Sequence, residues 1–346
     1  MYIVKLTPYR EGLGRIFHRQ TKNHTLISLN GKYQFVINEE VSNPDFWVVQ
    51  GKGLREKTSC HVAPENTIFL NTEPRSVFNY PKNYLNQFGL VSTSQYPTEH
   101  KKVVYGPAVL PWFVGYKKDN QTNEYTYSLD YDNLKTQSFP KKKKLVSVIT
   151  SNLTISRGHL NRLKFVDKLK AHYGNQLDIY GRGFNYFDDK WDVLSQYKYH
   201  ICIENCSEPY YWTEKISDCF LSGTYPFYYG CKNFSDYFPK NAFTPIDIFD
   251  VEKAIETIDS AINNNIYEKS IESLEESKRL VLDRYNMFEY IASICDTLNP
   301  MAEKRDVTLS PCVSSLDFHN FLNYTFLRSY YKAEMGVYKL FHKMSF

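Results

Sequence analysis

Short runs of β-branched and aromatic residues recur through the first 120 residues, at Gln34 to Ile37, Phe46 to Val49, Thr67 to Leu70 and Phe88 to Ser92. Each precedes a polar or Gly/Pro-bearing loop, so the pattern predicts core strands of an α/β unit. From Leu145 onward apolar runs and helical spacings alternate. Leu145 to Thr150 predicts a strand, and Leu163, Val166 and Leu169 place an apolar stripe on a helix over Leu160 to Ala171. Gln176 to Tyr180 predicts the next strand, followed by a short helix at Trp191 to Tyr197, a strand at His200 to Glu204, a helix at Glu214 to Ser222 and a strand at Tyr225 to Tyr229. Val251 to Ile262 is an amphipathic helix through Ile255, Ile258 and Ile262. Such alternation predicts a parallel sheet with crossover helices.

Between Tyr116 and Pro140 the chain turns polar, and four lysines, Lys141 to Lys144, precede the Leu145 strand. That shift puts a boundary near residue 140, giving a first unit at 1–140, a second at 141–300 and a helical tail at 301–346. The lysine run reads as a solvated linker end rather than as a phosphate or membrane-surface patch. In the tail, Leu316 to Met344, an aromatic stripe of Phe318, Leu322, Phe326 and Tyr330 is interleaved with Lys, Arg and His. Two readings stand: a helix packed back on the body, or peripheral membrane contact by a basic aromatic helix.

Composition narrows the class. Lys and Arg number 42 against 38 Asp and Glu, a net charge of +4, too even for nucleic-acid binding by charge alone. Hydrophobic residues make up 42%, which excludes disorder. The seven cysteines are odd in number and scattered, so thiols in a reducing compartment are expected. No apolar run approaches the ~18 residues of a membrane span, and the N-terminal stretch lacks a secretory apolar core, so a cytoplasmic location is expected. The 29 Tyr and 23 Phe supply flat faces of the kind that stack on sugars or bases.

Chemistry concentrates between His200 and Gly230. An apolar strand ends at Glu204 and Asn205, and after a polar loop Thr213, Glu214 and Lys215 open a helix. A helix N-terminus beyond a strand's carboxyl end offers N–H groups and partial positive charge to phosphates, and Lys215 adds a full charge. A carboxylate such as Glu214 suits vicinal hydroxyls of a sugar. An ordinary capped helix start accounts for the same residues equally well. The literal D-x-D at Asp130 to Asp132 lies in the polar stretch, away from a strand end, and no metal is assigned to it. His200, Cys202 and Cys206 lack a second ligand pair and read as core residues rather than zinc ligands.

The segments Ile203-Glu204-Asn205, Tyr211-Trp212-Thr213-Glu214-Lys215, Gly223-Thr224-Tyr225-Pro226 and Tyr229-Gly230, in that order, resemble the signature region of glycosyltransferase family 10, the α-1,3/1,4-fucosyltransferases. Asn233, Tyr237-Phe238-Pro239 and Ile246-Asp247-Ile248 continue the resemblance, which runs from Ser151 to roughly Ile262. It implies a GT-B architecture, two Rossmann-like domains facing a central cleft, with the acceptor bound by the first (1–140) and the nucleotide sugar by the second (141–300), and an inverting transfer from GDP-fucose to a hydroxyl of a glycan acceptor such as a lipopolysaccharide or O-antigen sugar. No cofactor beyond the nucleotide-sugar donor is implied. Carried over by position, Lys215 holds the diphosphate, Asn205 contacts it, Glu214 binds ribose or sugar hydroxyls and Tyr211 borders the nucleotide. The family places a phosphate-gripping arginine on the helix after the first strand of the second unit, which is Arg162 or, alternatively, Arg157. Arg182, in Gly181-Arg182-Gly183, is a candidate for base or phosphate. The general base comes from the first unit; Glu73, in Asn71-Thr72-Glu73-Pro74 after an apolar run, is the candidate, ahead of Glu65 and Glu99. Tyr and Trp side chains are expected to line the acceptor groove. Trp212 and the Ser207 to Tyr210 loop depart from the pattern, leaving two alternatives: another nucleotide sugar on the same fold, or a non-catalytic carbohydrate- or nucleotide-binding module.

Overall fold

The computed structural model describes residues 1–108, 110–119, 121–154, 157–312 and 317–341; Leu316, Met344 and the side chains of Phe318 and Leu322 lie outside the described residues. In chain order, the first part comprises β1 (Tyr2–Thr7), α1 (Glu11–Gly14), β2 (Tyr33–Ile37), β3 (Phe46–Gln50), β4 (Thr58–Val62), β5 (Thr67–Leu70), α2 (Lys82–Leu85), β6 (Leu90–Thr93) and β7 (Val103–Tyr105). Six of these strands form a parallel sheet in the order β2-β1-β3-β5-β6-β7. Its strands are apolar on successive positions because both faces are covered. Phe46, Val48, Ile68 and Leu70 enter one core, while Trp47, Val49 and Phe69 enter the other. Each fully buried side chain of this size contributes about 1.5–3 kcal/mol.

A hairpin of β8 (Tyr116–Lys118) and β9 (Tyr125–Tyr127) and the helix α3 (Tyr131–Thr136) occupy the polar stretch expected to be a linker. Leu134 of α3 and the neighbouring Trp112 and Val114 are buried in the second unit's core. That unit follows as β10 (Lys144–Ile149), α4 (Arg157–Tyr173), β11 (Leu177–Tyr180), α5 (Lys190–Leu194), β12 (Tyr197–Ile203), α6 (Glu214–Leu221), β13 (Tyr225–Tyr229), β14 (Thr244–Pro245), α7 (Val251–Asn263), α8 (Ile266–Lys269) and α9 (Ile271–Asp283). Its five strands are parallel in the order β11-β10-β12-β13-β14. The α/β class and the two Rossmann-like units expected of a GT-B chain are therefore present.

The chain then crosses back. α10 (Met287–Cys295) buries Met287, Phe288 and Ile291 against the first sheet, and β15 (Arg305–Leu309) pairs antiparallel with β4. The last helix, α11 (Asp317–Phe341), packs Met335, with Tyr331 and Tyr338, on Leu160 and Leu163 of α4. Its opposite side leaves Phe326, Tyr330, Val337 and Leu340 exposed; their spacing puts all four on one face. One helix thus combines the packed-back reading with an uncovered apolar stripe.

Candidate functional site

β12 ends at Ile203, and the Glu204 N–H still donates to Tyr229 O at 2.8 Å, holding the next residue in the sheet's frame. The Glu204 carboxylate is fully buried. It accepts from the Thr213 N–H at 2.9 Å, from Thr213 Oγ1 at 2.8 Å and from Lys215 Nζ at 2.9 Å. Thr213 in turn caps α6, its Oγ1 accepting from the Lys215 N–H at 3.4 Å. A strand-end carboxylate thereby anchors both the helix N-terminus and its lysine. Burial works against the Lys215 charge, but Glu204 and Glu214 override it and hold the ammonium's pKa above its ordinary value.

Glu214, the first residue of α6, lies between two lysines, with Oε1 3.7 Å from Lys190 Nζ and 3.9 Å from Lys215 Nζ. Burial raises its pKa, yet Lys215 and Lys190 overcome that and keep the carboxyl below the usual range. Lys190 is itself held by buried Asp218 at 2.7 Å. Asp218 also accepts from the Phe113 and Val114 N–H groups at 2.7 and 3.1 Å, tying the segment between the sheets to α6.

Arg162 projects from α4, the helix after the first strand of this sheet. It is buried, reaches Ser151 Oγ at 3.5 Å, and among the described residues its Nε–H has no acceptor. Burial lowers its pKa to about 10, with Glu204 opposing, so it stays charged at neutral pH. Neighbouring His159 is pushed down to about 4 by burial and by Arg162 and Lys215, and stays neutral. Asn205 is half-buried at the strand end. Tyr211 is buried among Glu204, Cys206, Glu73 and Glu214, and burial first, then these groups, push its phenol pKa up.

The first unit closes the other side. Glu73 follows β5, in a loop held to its neighbour by Gln95 Nε2, which donates to Glu73 O at 2.9 Å and Phe78 O at 2.7 Å. Its carboxyl is half-buried. Burial raises its pKa, while Lys215 and Arg10 pull the other way, so the cation of one unit senses the acid of the other. Tyr210 of the second unit stacks on Tyr105 of the first at 5.4 Å and lies 6.0 Å from Tyr96. The carboxyl ends of the two sheets therefore face each other across a cleft.

Other expected residues lie elsewhere. Arg157 is turned to α11, where it pairs with Glu334 at 2.7 Å and lies over Tyr331, because its place in the first turn of α4 points it at that helix. Arg182 is exposed; its carbonyl accepts from the Asn152 N–H at 3.0 Å. Gly181 makes that turn possible, with φ +116° and Thr150 O only 1.9 Å from where a Cβ would sit. Glu65 and Glu99 are exposed, the latter bonded to Lys82. Asp130, Asp132 and His24 gather ligand atoms within 4.8 Å, but Asp130 caps α3 and Asp132 accepts from the Asn23 N–H. His200 bonds Ser147 at 2.9 Å inside the core, and buried Cys202 lies against Cys219. Two expectations need correction. Lys142 is not a solvated linker residue: its Nζ reaches Ser222 O at 2.6 Å and Thr224 Oγ1 at 3.1 Å. Nor do Trp47, Trp112 and Trp212 line a groove, since all three are buried; Trp212 fills a pocket of Phe234, Phe238, Tyr237 and Tyr285.

Residues 139–310 match the family model described as glycosyltransferase family 10 (fucosyltransferase), C-terminal part. This half of the chain is a family 10 glycosyltransferase domain. The family 10 domain contains Glu204, Arg162, Lys190 and Lys215, whereas Glu73 lies outside the matched stretch. Curated relatives include the mouse 4-galactosyl-N-acetylglucosaminide 3-alpha-L-fucosyltransferase 9, 28% identical over 137 residues, which are 37% of this chain and 36% of that one. The alpha-(1,3)-fucosyltransferase FucT of Helicobacter pylori is 33% identical over 100 residues, 27% of this chain and 21% of that one. The chain thus spans little more than a third of the first of these relatives and less of the second. Among solved structures it is similar to an alpha1,3-fucosyltransferase with GDP, at 18% identity and a TM-score of 0.49, covering 83% of this chain and 90% of that one. Glu204 and Lys190 hold Lys215 and Glu214 in place at the start of α6, and the sequence reading assigned neither of them a role. For Glu204 the available signal is a carboxylate directly after an apolar strand and before a capped helix. Lys190 has no such local signal, because its partner Asp218 is set by the fold.

Proposed function

We propose that the protein is an inverting glycosyltransferase that moves L-fucose from GDP-fucose to a hydroxyl of a glycan. The observation that carries the reading is the convergence of Lys215 and the partly unpartnered Arg162 at the carboxyl end of the second sheet, facing the half-buried Glu73 of the first. Two fixed cations suit a diphosphate whose negative charge grows as the glycosidic bond breaks. Glu73 takes the proton of the acceptor hydroxyl, whose oxygen attacks the anomeric carbon opposite the departing GDP. The C–O bond to the diphosphate breaks as the new glycosidic bond forms, and the electron pair leaves with GDP, stabilised by Lys215 and Arg162. A carboxyl with a raised pKa is a better base for this task than an exposed one.

In this reading Asn205 contacts the diphosphate, Glu214 binds sugar or ribose hydroxyls, and protein cations take the place of a metal. GDP-fucose is favoured by the family 10 match and by the names of the relatives. No described helix is long and apolar enough to cross a membrane. The exposed Phe326, Tyr330, Val337 and Leu340 stripe supports peripheral contact with a membrane that carries a lipid-linked acceptor such as a lipopolysaccharide precursor at its cytosolic face. A donor panel tests the reading: GDP-fucose turns over with release of GDP, while UDP-, CMP- and dTDP-sugars do not, and turnover with a UDP-sugar alone overturns it.

A further inference from the structure

A cavity of about 630 Å³ opens at the carboxyl ends of β13 and β14. Tyr229 and Phe249 meet there at 6.1 Å and 70°, and Phe249 is 65% exposed. Two rings at a steep angle form a corner that fits the apolar face and C–H edge of a pyranose. Ser207, Lys232, Lys240 and Asp247 complete the lining. Asp247 is engaged by the Phe249 N–H at 3.0 Å. Neither lysine forms an ion pair among the described residues, so both ammonium groups are available to an anion, with Asp247 the carboxylate of the lining and Glu208 and Asp236 beside it.

The cavity shares a wall with the cleft. Ser207 belongs to the loop that carries Asn205 and Tyr211, and the loop is pinned to the cavity's far side where Lys232 N–H donates to Glu208 O at 3.3 Å and Tyr210 N–H to Asn233 Oδ1 at 2.7 Å. In the strand order β11-β10-β12-β13-β14, Arg162 and the Gly181 turn lie on the β10 and β11 side of Glu204, and the cavity lies on the other. A donor gripped by Arg162 and Lys215 leaves that other side to the acceptor.

We infer that this cavity is an acceptor subsite for an acidic saccharide, its ring stacked on Phe249 and its carboxylate, sulfate or phosphate ester held by Lys232 and Lys240. The inference rests on the glycosyltransferase reading of the neighbouring centre and names the class of acceptor. It is tested by calorimetric titration of the protein with N-acetyllactosamine and with its 6-O-sulfated form, with and without saturating GDP. Wild type is expected to bind the sulfated glycan about ten-fold tighter at low salt, with the preference shrinking as salt screens the rim. Lys232→Ala combined with Lys240→Ala removes the preference and keeps the neutral affinity, and Phe249→Ala weakens both glycans. GDP affinity and melting temperature hold in each variant, since all three side chains are exposed. Equal affinity for the two glycans, binding of neither, or a loss of GDP affinity in Phe249→Ala overturns the inference. Failure of wild type to bind GDP overturns the donor reading instead, and the nucleotide-free titrations still decide the subsite.

Discussion

Replacing Lys215 by methionine leaves the Glu204 carboxylate buried without its counter-charge. The pair is 2.9 Å apart, with the Glu204 side chain 0% and the Lys215 side chain 27% exposed. At an effective dielectric near 20 the Coulomb attraction at this distance is about 6 kcal/mol. Desolvation offsets much of that, so removal of one partner costs ~3–5 kcal/mol, most of it the penalty of an uncompensated buried charge. Glu204→Gln destabilises to a similar degree, because the new amide N–H₂ faces an ammonium that also needs an acceptor. Combining Lys215→Met with Glu204→Gln removes both charges while keeping both volumes, and stability returns to within about 1–2 kcal/mol of wild type. GDP affinity is not expected to return, because the cation proposed to hold the diphosphate is gone; a charge-assisted contact of this kind is worth ~1.5–3 kcal/mol, or roughly 10- to 150-fold in Kd. Urea unfolding followed by tryptophan fluorescence reads the first quantity and calorimetry with GDP the second. A coupling energy below about 1 kcal/mol, the level of exposed pairs, refutes the buried-pair argument. Recovery of GDP affinity in the double variant refutes the role given to Lys215.

Glu73→Gln is expected to lower kcat by ~10²–10⁴-fold with GDP affinity within about two-fold of wild type; unchanged turnover removes Glu73 from the reaction. Because burial raises the Glu73 pKa, kcat/KM falls as pH drops through a value above the ordinary carboxylate range and is restored as the base deprotonates at higher pH; an acid limb at or below that range contradicts the assignment. Arg162→Ala weakens GDP about ten-fold or more, whereas Arg157→Ala leaves GDP binding unaltered and loosens only the contact with Glu334 on α11, a difference that parallel titrations resolve. Excess chelator leaves activity intact, and full, metal-reversible loss brings His24, Asp130 and Asp132 back into consideration.

Much of the fold is legible because the decisive patterns are local. Phe46 to Gln50 and Thr67 to Leu70 show in sequence as runs, since a strand buried on both faces must be apolar at every step. The start of α6 is legible as well, because Thr213 is a capping residue in front of a charged first turn. What escapes detection depends on partners distant in sequence. Met287 to Cys295 falls inside the stretch 141–300 read as the second unit, and only the tertiary structure shows that it covers the first sheet. Lys142 sits in a run of lysines that composition marks as solvated, yet it alone turns inward to the Ser222 and Thr224 oxygens. The choice between Arg157 and Arg162 is likewise invisible in spacing: both lie on α4, but one turns to the terminal helix and the other toward the carboxyl ends of the strands.

The central claim is that Arg162 and Lys215 together hold the diphosphate of the donor at the carboxyl end of the second sheet. A crystal structure of the GDP complex tests it most directly. The account predicts phosphate oxygens within hydrogen-bonding distance of both Lys215 Nζ and the Arg162 guanidinium, with Arg162 Nε gaining the acceptor it lacks. A diphosphate bound elsewhere, with both side chains unengaged, would contradict it.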